Sequence, residues 1–107
     1  MKLKHTPGPW YYDFEKTHNN KWGGGTIPIY PTVQPSHEYS EIAEVAYYGE
    51  LGKANARLIA ASPETLKCLI KEFKSSVKQF GLEKAKMLET RYAIESATGL
   101  PIEEVLK

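Results

Sequence analysis

Near residue 51 the chain changes character, and its two sides cannot fold alike. Five of the seven prolines, five of the eight glycines, nine of the twelve aromatic residues and all three histidines stand before that point. Ala, Leu, Lys and Glu dominate after it. Proline and glycine punctuation among aromatic and β-branched residues reads as short strands joined by turns, and the second composition reads as helices. The expected fold is therefore α+β, with a small N-terminal antiparallel sheet of about three strands (1–50) packed on a C-terminal antiparallel helical hairpin (51–107). At 107 residues and 12.1 kDa the chain fits one domain, 1–107.

Three segments carry strand signals. Trp10–Glu15 follows the rigid Pro7-Gly8-Pro9 corner and alternates from Tyr12 onward. Thr26–Tyr30 holds β-formers, but Pro28 cannot donate to a ladder, which predicts an edge strand or an irregular one. Glu41–Tyr47 is the clearest strand, with helix as a rival because of its alanines. In the second half a short helix over Lys53–Ala61 is expected, opened by Gly52. Ser62-Pro63-Glu64 then supplies an N-cap, a proline at the first helical position and an early acid. Leu66, Leu69, Ile70, Phe73 and Val77 recur at helical spacing, so one face is buried, and Cys68 near that face reads as a small buried hydrophobe. Gly81 stops this helix. A second follows with Leu82, Ala85, Leu88 and Tyr92 on its inner face, ended by Gly99 and Pro101, and Ile102–Lys107 can form one last turn.

Charge narrows the function classes. Fourteen Lys and Arg against thirteen Asp and Glu leave a net charge of +1, with six of each sign in 1–62 and eight basic against seven acidic in 63–107. A binder of nucleic-acid polymers or membrane surfaces would usually show a one-sided basic excess. The single cysteine excludes an internal disulfide and a cysteine-based zinc site, and suits a reducing compartment. No apolar run approaches the length of a membrane span. His5, His18 and His37 lack the spacing that preorganises metal ligands, so they read as turn or solvated residues and no metal or other cofactor is expected. No nucleophile elbow, Walker loop or Cys/His pair is present, which points away from an enzyme.

Binding is the better reading. Trp10, Tyr11, Tyr12, Trp22, Tyr30, Tyr39, Tyr47 and Tyr48 are more rings than three short strands need for a core. A base stacked on an exposed ring gains roughly 1–3 kcal/mol. Trp10 beside the proline corner also suits a packing plug, whereas Trp22 between Lys21 and three glycines divides evenly between ligand contact and a structural role. The Gly49–Arg57 segment offers a helix start, a point charge at Lys53 and a two-pronged grip on phosphate at Arg57. The competing reading is a solvated Lys53 and an Arg57 paired with Glu41 or Glu44.

Two segments carry a resemblance. His5-Thr6-Pro7-Gly8-Pro9-Trp10 and Ala54-Asn55-Ala56-Arg57-Leu58-Ile59-Ala60-Ala61-Ser62-Pro63-Glu64 resemble a widespread family of small tailed-phage proteins, which begin with an HTPGPW-like stretch and carry an ANARLIAAAPE-like segment before a long helix. Ser62 departs from the alanine usual there. The resemblance implies a phage accessory protein acting in the cytoplasm of the infected bacterium. The chain is also similar, in size and helical hairpin, to phage sponges that sequester the cyclic-nucleotide messengers of CBASS or Thoeris defence without hydrolysing them. That implies a cyclic nucleotide as partner, a homo-oligomer (dimer or tetramer) with pockets between protomers, and no enzyme activity. From the two motifs come the site residues His5, Thr6, Trp10, Asn55 and Arg57; position and chemistry add Tyr11, Lys21, Trp22, Tyr48 and Lys53. The alternative is a protein-binding inhibitor that blocks a host defence enzyme or other host factor, such as a polymerase, through the aromatic half, and a virion component is a third reading.

Overall fold

A computed structural model of the chain describes residues 5–14, 18, 19, 25–31, 41–47 and 49–107. It is α+β, with an antiparallel sheet N-terminally and helices C-terminally. Contacts group the chain into two compact units, one of Thr6–Glu64 and one containing Thr65–Lys107. The switch in composition at residue 51 marks the change from strand to helix, but the first helix belongs with the sheet.

In the first unit, β1 (Trp10–Tyr12), β2 (His18–Asn19), β3 (Gly25–Pro31) and β4 (Ala43–Ala46) form the sheet. β3 is its centre. β4 pairs along one side of it, with Ile27 opposite Val45 and Ile29 opposite Ala43. β1 and β2 share the other side, Trp10–Tyr12 facing Pro31–Ile29 and His18–Asn19 facing Thr26–Gly25. They are two halves of one interrupted edge strand, so the sheet is three strands wide.

The expectation that Pro28 puts its strand at an edge is corrected by this register. Along an antiparallel strand, N–H and C=O groups of successive residues point alternately to either side. The carbonyls of Gly25 and Ile29 accept from Tyr47 and Ile42 on the β4 side, at 2.8 and 2.7 Å. Pro28 faces the other way, where its carbonyl accepts from the Asp13 N–H at 3.3 Å. Its missing donor faces Asp13, one step past the last pair with β1 and short of the stretch paired with β2, so only one bond at the end of that pairing is given up. A proline thus sits in a central strand at the loss of a single ladder bond.

α1 (Glu50–Ala60) covers the sheet face that carries Ile27, Ile29 and Val45. Gly52, Ala56 and Ala60 are its buried positions, one every four residues, so small side chains let the helix axis approach the sheet. Gly52 lies inside the helix and does not open it. Gly49 does, at φ +59°, a backbone conformation that glycine adopts without strain. Gly52 instead lets the chain pass close to β4, because a Cβ there would stand 2.7 Å from the Ala46 carbonyl oxygen and 3.1 Å from Tyr47 Cα.

α2 (Ser62–Phe80) follows α1 after the single residue Ala61. The Ser62 hydroxyl donates back to the Leu58 carbonyl at 3.2 Å, so it secures the end of α1 where an N-cap for α2 was expected. In the second unit Phe73, with Leu69, Ile70 and Val77 beside it, packs with Ala85, Ile94, Ile102 and Val105. The returning limb is α3 (Leu82–Ala85), α4 (Glu89–Thr98) and α5 (Ile102–Val105). It is not one helix. Leu88 is extended (φ −78°, ψ 146°), and the break resets the helical phase. Ile94 becomes the buried residue of α4, while Leu88 and Tyr92, expected inside, are 43% and 72% exposed. Cys68 is exposed too: its position in α2 faces away from Phe73, which corrects its reading as a buried hydrophobe. Glu95 ties the end of the limb together, accepting from Arg91 at 2.9 Å and from the Ile102 N–H at 2.8 Å.

Candidate functional site

The two motifs meet in the first unit. Gly8 lies against Pro63, so close that a Cβ on Gly8 would be 2.6 Å from the Pro63 Cβ. Trp10 reaches the core around Ile27 and Ile29, and its indole N–H donates to the Thr6 carbonyl at 3.2 Å. This closes the proline corner on itself. Pro63 is buried, and Trp10 is half-buried, as a packing plug requires. Much of what makes these motifs recognisable therefore holds the fold.

A different set of side chains gathers on the flank of α1. Lys53 and Arg57 are one helical turn apart and lie on the same side. The Lys53 ammonium and the Arg57 guanidinium each stand 5.5 Å from the centre of the Phe14 ring. Phe14 is placed there by the end of the edge strand, just past the Asp13–Pro28 hydrogen bond, and packs on the core beneath α1. Tyr12 stacks on it at 4.6 Å and 29° and keeps 36% of its surface exposed. Glu50 approaches Lys53 at 3.5 Å and is itself well exposed, while Arg57 remains open to solvent. Each cation–ring contact is worth about 0.5–1 kcal/mol at such a site. Their larger effect is to orient two positive groups side by side, a point charge and a planar fork, next to an accessible ring. Phosphate and a stacked base are the chemistry that such a pair and ring can take.

Of the ten residues expected at the site, Lys53 and Arg57 are brought together. Asn55 is exposed on the same helix but about 160° round its axis from both. Tyr11 points to the sheet face opposite Tyr12, where its ring lies 5.4 Å from that of Tyr30. Burial first, then the carboxylates of Glu41 and Asp13, push the Tyr30 phenol above the ordinary tyrosine range, and its hydroxyl donates to Glu41. His5 and Thr6 are exposed at the proline corner. Lys21, Trp22 and Tyr48 lie outside the described residues, as do His37, Glu38 and Tyr39. Tyr12 and Phe14 were missed as site residues. The one-turn spacing of Lys53 and Arg57 was legible, but which ring they would meet depends on how α1 crosses the sheet.

Among the described residues no group of three or more His, Cys, Asp and Glu side chains could hold a metal ion, and no helix is long and apolar enough to cross a membrane. No curated protein and no solved structure matches the chain. A family model described as Salmonella phage P22 protein Y8K6 matches residues 1–101. The match spans the sheet, α1, α2, α3 and α4 and ends just before α5, and by it the chain belongs to this phage protein family.

Proposed function

We propose that this phage protein acts in immune evasion, binding a cyclic nucleotide messenger in the cytoplasm of the infected bacterium and holding it without hydrolysis. The observation that carries the reading is the side-by-side placement of Lys53 and Arg57 over Phe14 with Tyr12 stacked alongside. A cyclic dinucleotide presents phosphates to the cations and bases to the rings. Sequestration asks for affinity alone, so a constellation of acid, base and nucleophile is not needed. A protomer of 107 residues has little concavity for such a ligand, which favours sites completed between protomers.

The test is a thermal-shift panel of cyclic di- and trinucleotides and ADP-ribose derivatives, followed by chromatography of the recovered ligand. A true ligand at one hundred times its dissociation constant raises stability by about 2.7 kcal/mol and is recovered intact. Arg57→Ala should weaken it at least tenfold, a loss of about 1.4 kcal/mol. No shift with any member of the panel, or a hydrolysed ligand, refutes the proposal.

A second reading, an inhibitor that docks on a host defence enzyme, draws on the outer face of α1, where Leu51 and Leu58 are 63% and 72% exposed. It expects indifference to nucleotides and capture of a host enzyme, abolished by Leu58→Glu.

A further inference from the structure

We infer that the break in the returning helical limb is a self-association surface, and that its partner is a second copy of this chain. The inference stands on the second unit alone and does not depend on the ligand proposed above. At the break the fold turns large apolar side chains outward: Met87 is 85% exposed, Tyr92 72% and Leu88 43%. Leu88 and Tyr92 are one turn apart across the start of α4, and Met87 precedes them in the bend that its N–H to the Lys84 carbonyl secures at 3.1 Å. The phase reset that buries Ile94 is what leaves them outside.

Their exposed surface, backbone and the Tyr92 hydroxyl included, amounts to about 400 Å², the size of the largest patch on a typical monomer. A standard interface buries about 800 Å² per partner, of which a little over half, about 450 Å², is apolar. One copy of this face thus supplies about half of the surface that a stable pairing buries on each partner. Its composition also fits, since Met and Tyr are enriched in interface cores. Charge selects the occupant. Lys86 and Arg91 are engaged within the protomer, with Glu103 at 2.7 Å and Glu95 at 2.9 Å. The exposed Glu83 and Lys84 precede Met87 and Leu88 in the chain, and the exposed Glu89 follows them. The pairing inferred is two-fold, with Lys84 of each copy meeting Glu89 of the other across the apolar patch. A segment of such mixed sign suits neither an anionic membrane nor nucleic acid.

The experiment is light scattering behind size-exclusion chromatography, from micromolar to millimolar protein. The wild-type mass should rise with concentration from 12.1 kDa towards twice that value. Met87→Glu with Tyr92→Glu should raise the dissociation constant at least tenfold. Circular dichroism should be unchanged, because both side chains are already in water. Lys84→Glu should weaken the dimer, and adding Glu89→Lys should restore it. A wild-type chain that keeps the protomer mass throughout, or a dimer that survives the double substitution at 87 and 92, overturns the inference. So does a dimer that the charge exchange at 84 and 89 fails to restore.

Discussion

Replacing Gly52 by Ala sets two effects of opposite sign against each other, and the structure decides between them. Helix propensity alone favours the change, since Gly within a helix is about 0.8–1.0 kcal/mol worse than Ala. Against it stands the Ala46 carbonyl oxygen, 2.7 Å from where the new Cβ would lie, with Tyr47 Cα at 3.1 Å. Both are backbone atoms at the end of a paired strand, so neither can rotate away. Ordinary van der Waals contact requires α1 to lift by about 0.7 Å. A gap of that size forfeits a quarter to a half of each contact it opens, and the contacts at stake join Ala56 and Ala60 to Ile27, Ile29 and Val45. Overpacking of this kind costs about 1–3 kcal/mol, and its rigid neighbours put this case near the top of that range. The net expectation is a loss of about 2 kcal/mol, which lowers Tm by roughly 8–16 °C in a domain of this size. Thermal unfolding followed by circular dichroism measures it. Ala54→Gly, exposed on the same helix, is the control and should lose about 1 kcal/mol from propensity alone. A Gly52→Ala protein as stable as the wild type, or more so, would show that α1 is not clamped on the end of β4.

Gly8→Ala places a Cβ 2.6 Å from that of Pro63 and should cost about 1–3 kcal/mol, measured by urea denaturation, because a proline ring yields little. Ile94→Ala removes a fully buried side chain and should cost about 2–5 kcal/mol, whereas Tyr92→Ser should leave the midpoint nearly unchanged; the reverse order would restore an unbroken second helix. The Lys86–Glu103 pair makes a pH-dependent contribution. Its hydrogen bond, first, and its charge hold the Glu103 carboxyl below the ordinary glutamate range and the Lys86 ammonium above the ordinary lysine range. The stabilisation is therefore present at neutral pH. It is lost as pH falls through the depressed carboxyl value, and again as pH rises through the elevated ammonium value. Glu103→Gln should lower Tm at pH 7 and converge with the wild type in acid, and the difference at pH 7 should shrink in high salt. A deficit that persists in acid would point to lost packing.

What the sequence reveals of this protein follows the range of the forces concerned. Strands, helices and their order are readable because period, proline, glycine and cap signals are local, and Gly81 ends α2 as its chemistry requires. The failures share a cause. Judged by its own missing N–H, Pro28 belongs at an edge, but whether that donor is missed depends on β1 and β2 dividing one edge of β3 between them. Judged locally, Gly52 opens a helix, yet its reason for being there is the approach of β4. Tyr92 points inward only if a helical phase continues through Leu88, where nothing in the local sequence announces an extended residue. The candidate site divides in the same way. Lys53 and Arg57 are one turn apart whatever surrounds them, so their pairing is legible, and Asn55 joins them only because a motif spans it. Phe14 meets them through the crossing of α1 over the sheet, a contact between residues some forty positions apart. A recognisable motif is thus weak evidence that its members act together. Thr6, Gly8, Trp10 and Pro63 brace the proline corner, whereas Arg57 stands over the Phe14 ring. The contrast is measurable. Trp10→Ala should destabilise the chain with or without a nucleotide, while Arg57→Ala should leave the unliganded protein within about 1 kcal/mol of the wild type, the size of the single cation–ring contact that it removes.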